Sequence, residues 1–194
     1  MTKTLKWLGL GFGLLAAPAW CAGPAPAMAA AAKRIVSERL AAPLTGDAGR
    51  QSIRGTKALW VQVLLQGGVD KMPALESDLR RSDLEGQLRD EGFRVMDPAK
   101  RSLAIGLRPT LVLLVFYSPA DPAAGTAAFY VVLANANQEC TPLGGDSVTL
   151  TTWATSGDPI PASADPAADA EAIRASARAC VHAFVEAAKG AVTE

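Results

Sequence analysis

Apolar and polar residues alternate with a period of two in three segments, which predicts three half-buried β-strands. These segments are ALWVQVLLQ from Ala58, FYVVLANANQ from Phe129 and SVTLTTWAT from Ser147. A fourth segment, Pro109–Ser118, is apolar at nearly every position, as expected of a strand covered on both faces. In the third segment, simple alternation places the threonines on a predicted solvated face: Thr149, Thr151 and Thr155.

Apolar residues recur at intervals of three and four in two further segments, which predicts two helices. The first is a helix of about eighteen residues that opens at Pro73, with Gly92 as its left-handed cap and Phe93 folded back on the last turn. The second runs from about Asp169 to Gly190, with Asp165 or Asp169 as its cap. The intervening SGDPIPASADPAAD is rich in proline, so we expect a long irregular surface loop.

The order of these elements is β-α-β-β-β-α, which predicts the α+β class. We expect a four-stranded, mostly antiparallel sheet with both helices on one face. The elements from residue 57 to residue 190 form a single domain in this prediction, a size that suits one hydrophobic core.

The N-terminal residues 1–29 have the pattern of an export signal. Lys3 and Lys6 precede an apolar stretch, Trp7–Ala17, that is too short for a membrane span, and small residues follow. Two places offer the small residues that signal peptidase requires, Ala17-Pro18-Ala19 and the run Ala25–Ala29, and we favour the second. The pattern predicts a periplasmic or secreted protein with no membrane span after cleavage.

Residues 30–56 mix charge, glycine and threonine with a weak helical signal, and we expect a poorly ordered arm. Lipidation of Cys21 is an alternative to simple cleavage. Lipid attachment requires a small residue directly before the cysteine, and the bulky Trp20 stands there.

Cleavage beyond Cys21 leaves two cysteines, Cys140 and Cys180, in a compartment where disulfides persist. We therefore expect a Cys140–Cys180 disulfide, with two buried free thiols as the alternative. Removal of Lys3 and Lys6 from the 19 basic residues leaves 17 against 19 acidic residues, a formal charge of −2. Without a basic stripe, no nucleic-acid partner is expected. The sequence does not define an oligomeric state.

Candidate chemistry is sparse, so we expect no enzymatic activity, no cofactor and no metal. His182 is the single histidine; with Glu186 it forms an i, i+4 pair, but two ligands do not make a metal site. On a helix, Cys180 and His182 point about 200° apart, which prevents a cysteine–histidine pair. Trp60 and Trp153 lie on strands, and amides crowd the end of the third strand: Asn135, Asn137 and Gln138. Such groups are more often core and strand-end residues, but they also line ligand grooves.

Several segments resemble small exported bacterial proteins of unknown function. They are LRRSDLEGQLRDEGFRV, the strand after Pro109, FYVVLANANQ, LTTW and IRASARACVHAFVEAA. The resemblance spans about Leu59 to Ala188 and implies export and a compact domain, with no catalytic residue carried over. The order of elements is also similar to that of periplasmic assembly and accessory lipoproteins, such as the lipopolysaccharide-assembly partner of the outer membrane and auxiliary components of lipid transporters.

The sequence thus predicts an exported, non-enzymatic domain that binds a protein partner or a cell-envelope component through its sheet face or edge. The alternative is a carrier of a small apolar ligand in a groove between sheet and helices. A third hypothesis, an unrecognised hydrolase, would depend on His182 and the two cysteines.

Overall fold

Six strands form one mixed β-sheet in the computed structural model, which describes residues 26–39, 52–69, 73–79, 84–97, 108–140, 146 and 148–190. The strands are β1 (Ala58–Gln66), β2 (Arg94–Val95), β3 (Thr110–Ser118), β4 (Phe129–Cys140), β5 (Val148–Ser156) and β6 (Ile160–Pro161). The helices are α1 (Pro26–Arg39), α2 (Pro73–Asp78), α3 (Glu85–Asp90) and α4 (Pro166–Lys189). The class is α+β, as predicted.

The sheet has the order β2-β1-β3-β4-β5, with β6 paired to the start of β4. β1 is parallel to both β2 and β3, whereas β4 is antiparallel to β3 and β5. The prediction of four mostly antiparallel strands is therefore wrong in detail. The reason is the helical connection between β1 and β3, because a crossover through helices returns the chain to the same end of the sheet and makes the two strands parallel.

One face of the sheet, here called the main face, packs against α2, α3 and α4 and contains the larger core. Its strand residues share one side of the pleat and are buried: Leu59, Val61, Val63, Leu111, Leu113, Val115, Tyr130, Val132, Ala134, Ala136 and Trp153. The opposing stripe of α4 is buried as well: Ile173, Ala177, Cys180, Val181, Phe184, Val185 and Ala188. These are the helix positions that the spacing of three and four predicted.

The opposite face, here called the α1 face, is covered in part by helix α1. Phe129, Val131 and Leu133 of β4 are fully buried there beneath Met28 and Ala32. The prediction of helices on one face only is therefore wrong. Residues 30–39 of the expected arm belong to helix α1. The rest of the predicted arm up to residue 51 lies outside the described residues. Alanine-rich helices have weak apolar periodicity, which explains why the pattern gave only a hint of α1.

The helix ends follow the predicted capping residues. Asp165 caps α4 by accepting a hydrogen bond from the Ala167 N–H at 2.9 Å, and Gly190 ends the helix in the left-handed region at φ 62°. At the end of α3, Gly92 has φ 87°, and the Phe93 N–H donates to the Leu88 carbonyl at 2.9 Å. We predicted one helix of about eighteen residues from Pro73. The structure describes two parts of this segment, helices α2 and α3, and residues 80–83 between them lie outside the described residues.

Two local features of β5 and β6 differ from the prediction. The register between β4 and β5 shifts at Ala136/Asn137, and Thr152 is the extra residue of this bulge. Thr155 therefore lies on the main face and not beside Thr149 and Thr151. The proline-rich segment contributes the two-residue strand β6, because Ile160–Pro161 continues along β4 beside Phe129 and Tyr130. Across the described segments, none of the helices combines the length and hydropathy that a membrane span requires.

Candidate functional site

Strand β5 lies at one edge of the sheet. Its inner edge pairs with β4 from Leu133 to Cys140, and no strand among the described residues pairs with its outer edge. A row of backbone N–H and C=O groups along such an edge is a template for a further strand. The Ser52 hydroxyl donates a hydrogen bond to the Thr152 carbonyl of this strand at 3.3 Å.

The first half of β5 exposes apolar side chains on the main face beyond the helices. Val148 is 44% exposed and Leu150 is 47% exposed, and the third large exposed apolar residue of the described chain is Leu64 on β1, at 36%. The side chains of Val148 and Leu150 share one face because they are two residues apart on a strand. The outer strand thus offers both backbone hydrogen-bonding groups and an apolar surface.

The amides predicted near the end of β4 are divided between the two faces of the sheet. Asn135 donates to the Asn137 side-chain oxygen at 2.9 Å, and the Thr151 hydroxyl donates to the same oxygen at 3.0 Å, on the α1 face. Gln138 lies on the main face and donates to the Ser52 carbonyl at 3.1 Å. Each of these amides therefore has a structural partner.

The two strand tryptophans also lie on opposite faces. Trp60 lies opposite Thr110 and, one strand further, Asn137, which places it on the α1 face. Trp153 lies on the main face, where its ring meets Phe184 edge-on at 5.4 Å between centroids. Both tryptophans are buried. The structure therefore does not bring these aromatic and amide groups together in one groove.

The predicted disulfide is absent, because Cys180 is a free, buried thiol in the structure. Its Sγ lies 4.0 Å from the Val132 carbonyl oxygen on β4. Cys140 is eight residues further along the same strand, on the order of 26 Å away at ~3.3 Å per residue, whereas a disulfide needs Cα atoms within about 7 Å. The structure therefore contains no Cys140–Cys180 bond, and Cys180 has the buried free thiol of the alternative.

Burial also makes Cys180 a poor nucleophile. Burial raises the pKa of its thiol to about 11, and a backbone hydrogen bond from Gly157 opposes that shift. His182 is exposed on the opposite side of α4, as the helical spacing predicted. Within the described part of the chain, no three His, Cys, Asp or Glu side chains are grouped closely enough to hold a metal ion.

One buried polar cluster was not recognised from the sequence. Asp169 is almost fully buried, and its two carboxylate oxygens accept the Ser163 N–H at 3.0 and 3.2 Å. Burial, together with the neighbouring Asp169 carboxylate, raises the pKa of Tyr130 to about 12. The ring of Tyr117 lies 5.2 Å from that of Tyr130. Because each polar group is paired, this cluster fixes the start of α4 against β4, and the capping position of Asp169 was the available sequence signal.

No family model and no curated protein matches the chain. Among solved structures, the chain is similar to a minor lipoprotein from Acinetobacter baumannii, at 14% sequence identity and a TM-score of 0.26. The match covers 68% of this chain and 91% of that chain. A likeness at this level carries no information about what this chain does.

Proposed function

We propose that the chain is an exported, non-enzymatic binding domain whose outer strand β5 accepts an extended segment of a protein partner in the cell envelope. The observation that carries the proposal is the outer edge of β5, which no described strand covers and which presents Val148 and Leu150 to solvent. Strand addition to a sheet edge derives affinity from backbone hydrogen bonds and specificity from alternate side chains.

The other surfaces of the sheet support this choice of edge over face. The main face is occupied by α2, α3 and α4, and α1 covers the α1 face over Phe129, Val131 and Leu133. The opposite edge is the two-residue strand β2, which is too short to guide a partner strand over several residues. A partner segment at β5 would meet apolar side chains without displacing a helix.

Residue chemistry supports a binding role over catalysis. Cys180 is buried beside Val132, and the i, i+4 pair of His182 and Glu186 is exposed on the surface of α4. The exported location in the proposal, periplasmic or secreted, is supported by the pattern of the first 29 residues.

The interior between the sheet and α4 does not favour the alternative, a carrier with an apolar groove. Phe184 contacts both Trp153 and Phe93, with ring centroids 5.4 and 5.9 Å apart. These ring contacts pack the interior around Phe184, which supports the binding role over the carrier.

Site-specific cross-linking in cells tests the proposal. A photo-reactive amino acid at the exposed Thr149 should give a covalent adduct with a protein partner in the periplasmic fraction. The double variant V148K/L150K should lose the adduct, because two lysines remove the apolar contacts from the outer strand. The control is L64K, which places one lysine at the third exposed apolar residue, on the α1 face, and should keep the adduct.

Two outcomes would count against the proposal. A protein found only as a free monomer in cells would contradict partner binding. An adduct lost equally in L64K and V148K/L150K would show that the contact does not depend on β5. Circular dichroism of each variant separates these outcomes from loss of the fold.

A further inference from the structure

Helix α1 is built into the core of the domain through contacts at both ends. Near its start, Met28 is buried with Ala32 against the fully buried Phe129, Val131 and Leu133 of β4. At its end, the Arg39 guanidinium lies 5.1 Å from the centroid of the Phe116 ring on β3. Pro26 occupies the first position of the helix, where proline is favoured because its missing N–H would have no helical partner.

Cleavage in the run Ala25–Ala29, which the sequence pattern favours, would divide this helix. Cleavage after Ala29 would remove Met28, and with it the side chain that covers one end of the β4 cluster. It would also place a charged α-amino group at the new N-terminus of the helix, where the helix dipole disfavours positive charge. Of the cuts in this run, cleavage after Ala29 would thus take a buried core side chain away from the folded domain.

We propose that export processing ends at Ala19, so that α1 remains part of the mature domain. In this step signal peptidase hydrolyses the Ala19–Trp20 peptide bond; the OH of water completes the new carboxyl group of Ala19 and its remaining hydrogen completes the new amine of Trp20. Ala17 and Ala19 are the small residues that this peptidase needs at the third and first positions before the cut. The mature chain then keeps Cys21. The inference shares with the proposed function only the premise that the chain is exported.

The N-terminus and the intact mass of the protein isolated from the periplasmic fraction test this site. We expect Trp20 as the first residue and three thiols that can be alkylated after denaturation. A19Y should accumulate as the unprocessed precursor, because a bulky residue before the cut blocks cleavage. A29Y is the matched control: Ala29 is exposed on α1, so tyrosine is tolerated there, and processing should be unchanged.

A mature N-terminus at Ala30, with processing blocked by A29Y, would overturn the inference and leave the binding function untouched. A diacylglyceryl group on Cys21 would also overturn the Ala19 site. Full-length protein that stays in the cytoplasm would overturn both this inference and the export on which the proposed function depends.

A second pair of variants tests the role of α1 independently of the peptidase. M28D places a charge against Phe129 and Val131, so the mature protein should lose several degrees of thermal stability. A30D adds the same charge at an exposed position of the same helix and should leave the melting temperature unchanged. If the cut lay after Ala29, Met28 would leave with the leader, and mature M28D protein would melt like the wild type. That result would overturn the inference.

Discussion

The buried thiol of Cys180 leads to a testable prediction about its reactivity. It is buried between α4 and Val132, and burial raises its pKa to about 11. We expect alkylation of Cys180 to be negligible at pH 8 in the native protein and complete after denaturation, because the thiolate is the reactive form. Peptide mapping after a timed iodoacetamide pulse measures this. Rapid native labelling, or a peptide that links Cys180 to Cys140, would contradict the fold described above.

Asp169 is expected to be the most sensitive polar residue at the start of α4. Asparagine at this position can accept only with its one carbonyl oxygen, whereas the carboxylate accepts the Ser163 N–H and the Tyr130 hydroxyl. We expect D169N to lower the free energy of unfolding by about 1–3 kcal/mol, the cost of an incompletely paired buried group. Urea denaturation measures the change. The control is D165N, because asparagine caps a helix nearly as well as aspartate; equal effects in D165N and D169N would refute this role.

Because the pKa of Tyr130 is raised, we expect the folded protein to lose stability at high pH. Its pKa is raised from 10.0 to about 12 in the folded protein, so the folded state holds the phenol proton more tightly than the unfolded chain. Its contribution to stability is therefore full below pH 10 and is lost as the pH rises through 12. The urea midpoint should fall more steeply between pH 10 and 12 in the wild type than in Y130F. Parallel pH profiles for the two proteins would show that this tyrosine does not titrate differently on folding.

At the scale of elements, Gly157 sets how closely β5 approaches α4. A Cβ at this position would lie 2.1 Å from the Ser176 Oγ, so the serine hydroxyl would have to turn away to admit it. We expect G157A to lower the free energy of unfolding by about 1–3 kcal/mol, as for other overpacked sites.

The serine provides the compensating change. Among the described residues, the buried Ser176 Oγ has no hydrogen-bond partner, so S176A alone should be neutral or slightly stabilising. The double variant G157A/S176A should recover most of the loss, because the next contact of the new Cβ is the Ser176 Cβ at an ordinary 3.5 Å. A double-mutant cycle by urea denaturation measures this coupling; additive effects would mean that the two residues are not in contact.

The sequence pattern predicted elements well where period and length agreed. Strands β1, β3 and β4 and helix α4 begin and end within a few residues of the predictions, because each has one apolar face that must be buried. The sequence pattern did not predict the bulge at Thr152. An extra residue in a strand reverses which side chains face the core, but it leaves no mark in the composition. It places Trp153 on the same face as Leu150, which simple alternation assigns to opposite faces.

At the scale of the whole molecule, the missing information was the path of the chain in space. The parallel pairing of β1 and β3 and the position of α1 depend on contacts between distant segments, which local periodicity does not encode. The candidate site at β5 also depends on contacts between distant segments. Simple alternation places Val148 and Leu150 on the face opposite to Thr149 and Thr151, but the status of β5 as an outer strand follows only from the sheet order.

This arrangement predicts a gradient of stability across the molecule. Strand β4 is paired on both sides along most of its length and is covered from both faces, whereas α1 is held mainly by Met28, Ala32 and the Arg39–Phe116 contact. Segments with few buried contacts open at lower free energy than the centre of a sheet.

Hydrogen exchange followed by mass spectrometry should therefore find the amides of β4 exchanging most slowly and those of α1 exchanging well before them. In L133A, which removes part of the surface beneath α1, the amides of α1 should exchange faster still. The control L113A shortens a buried leucine on the main face, so it should lower protection across the sheet and α4. Equal protection of α1 and β4 in the wild type would mean that α1 unfolds only with the whole domain.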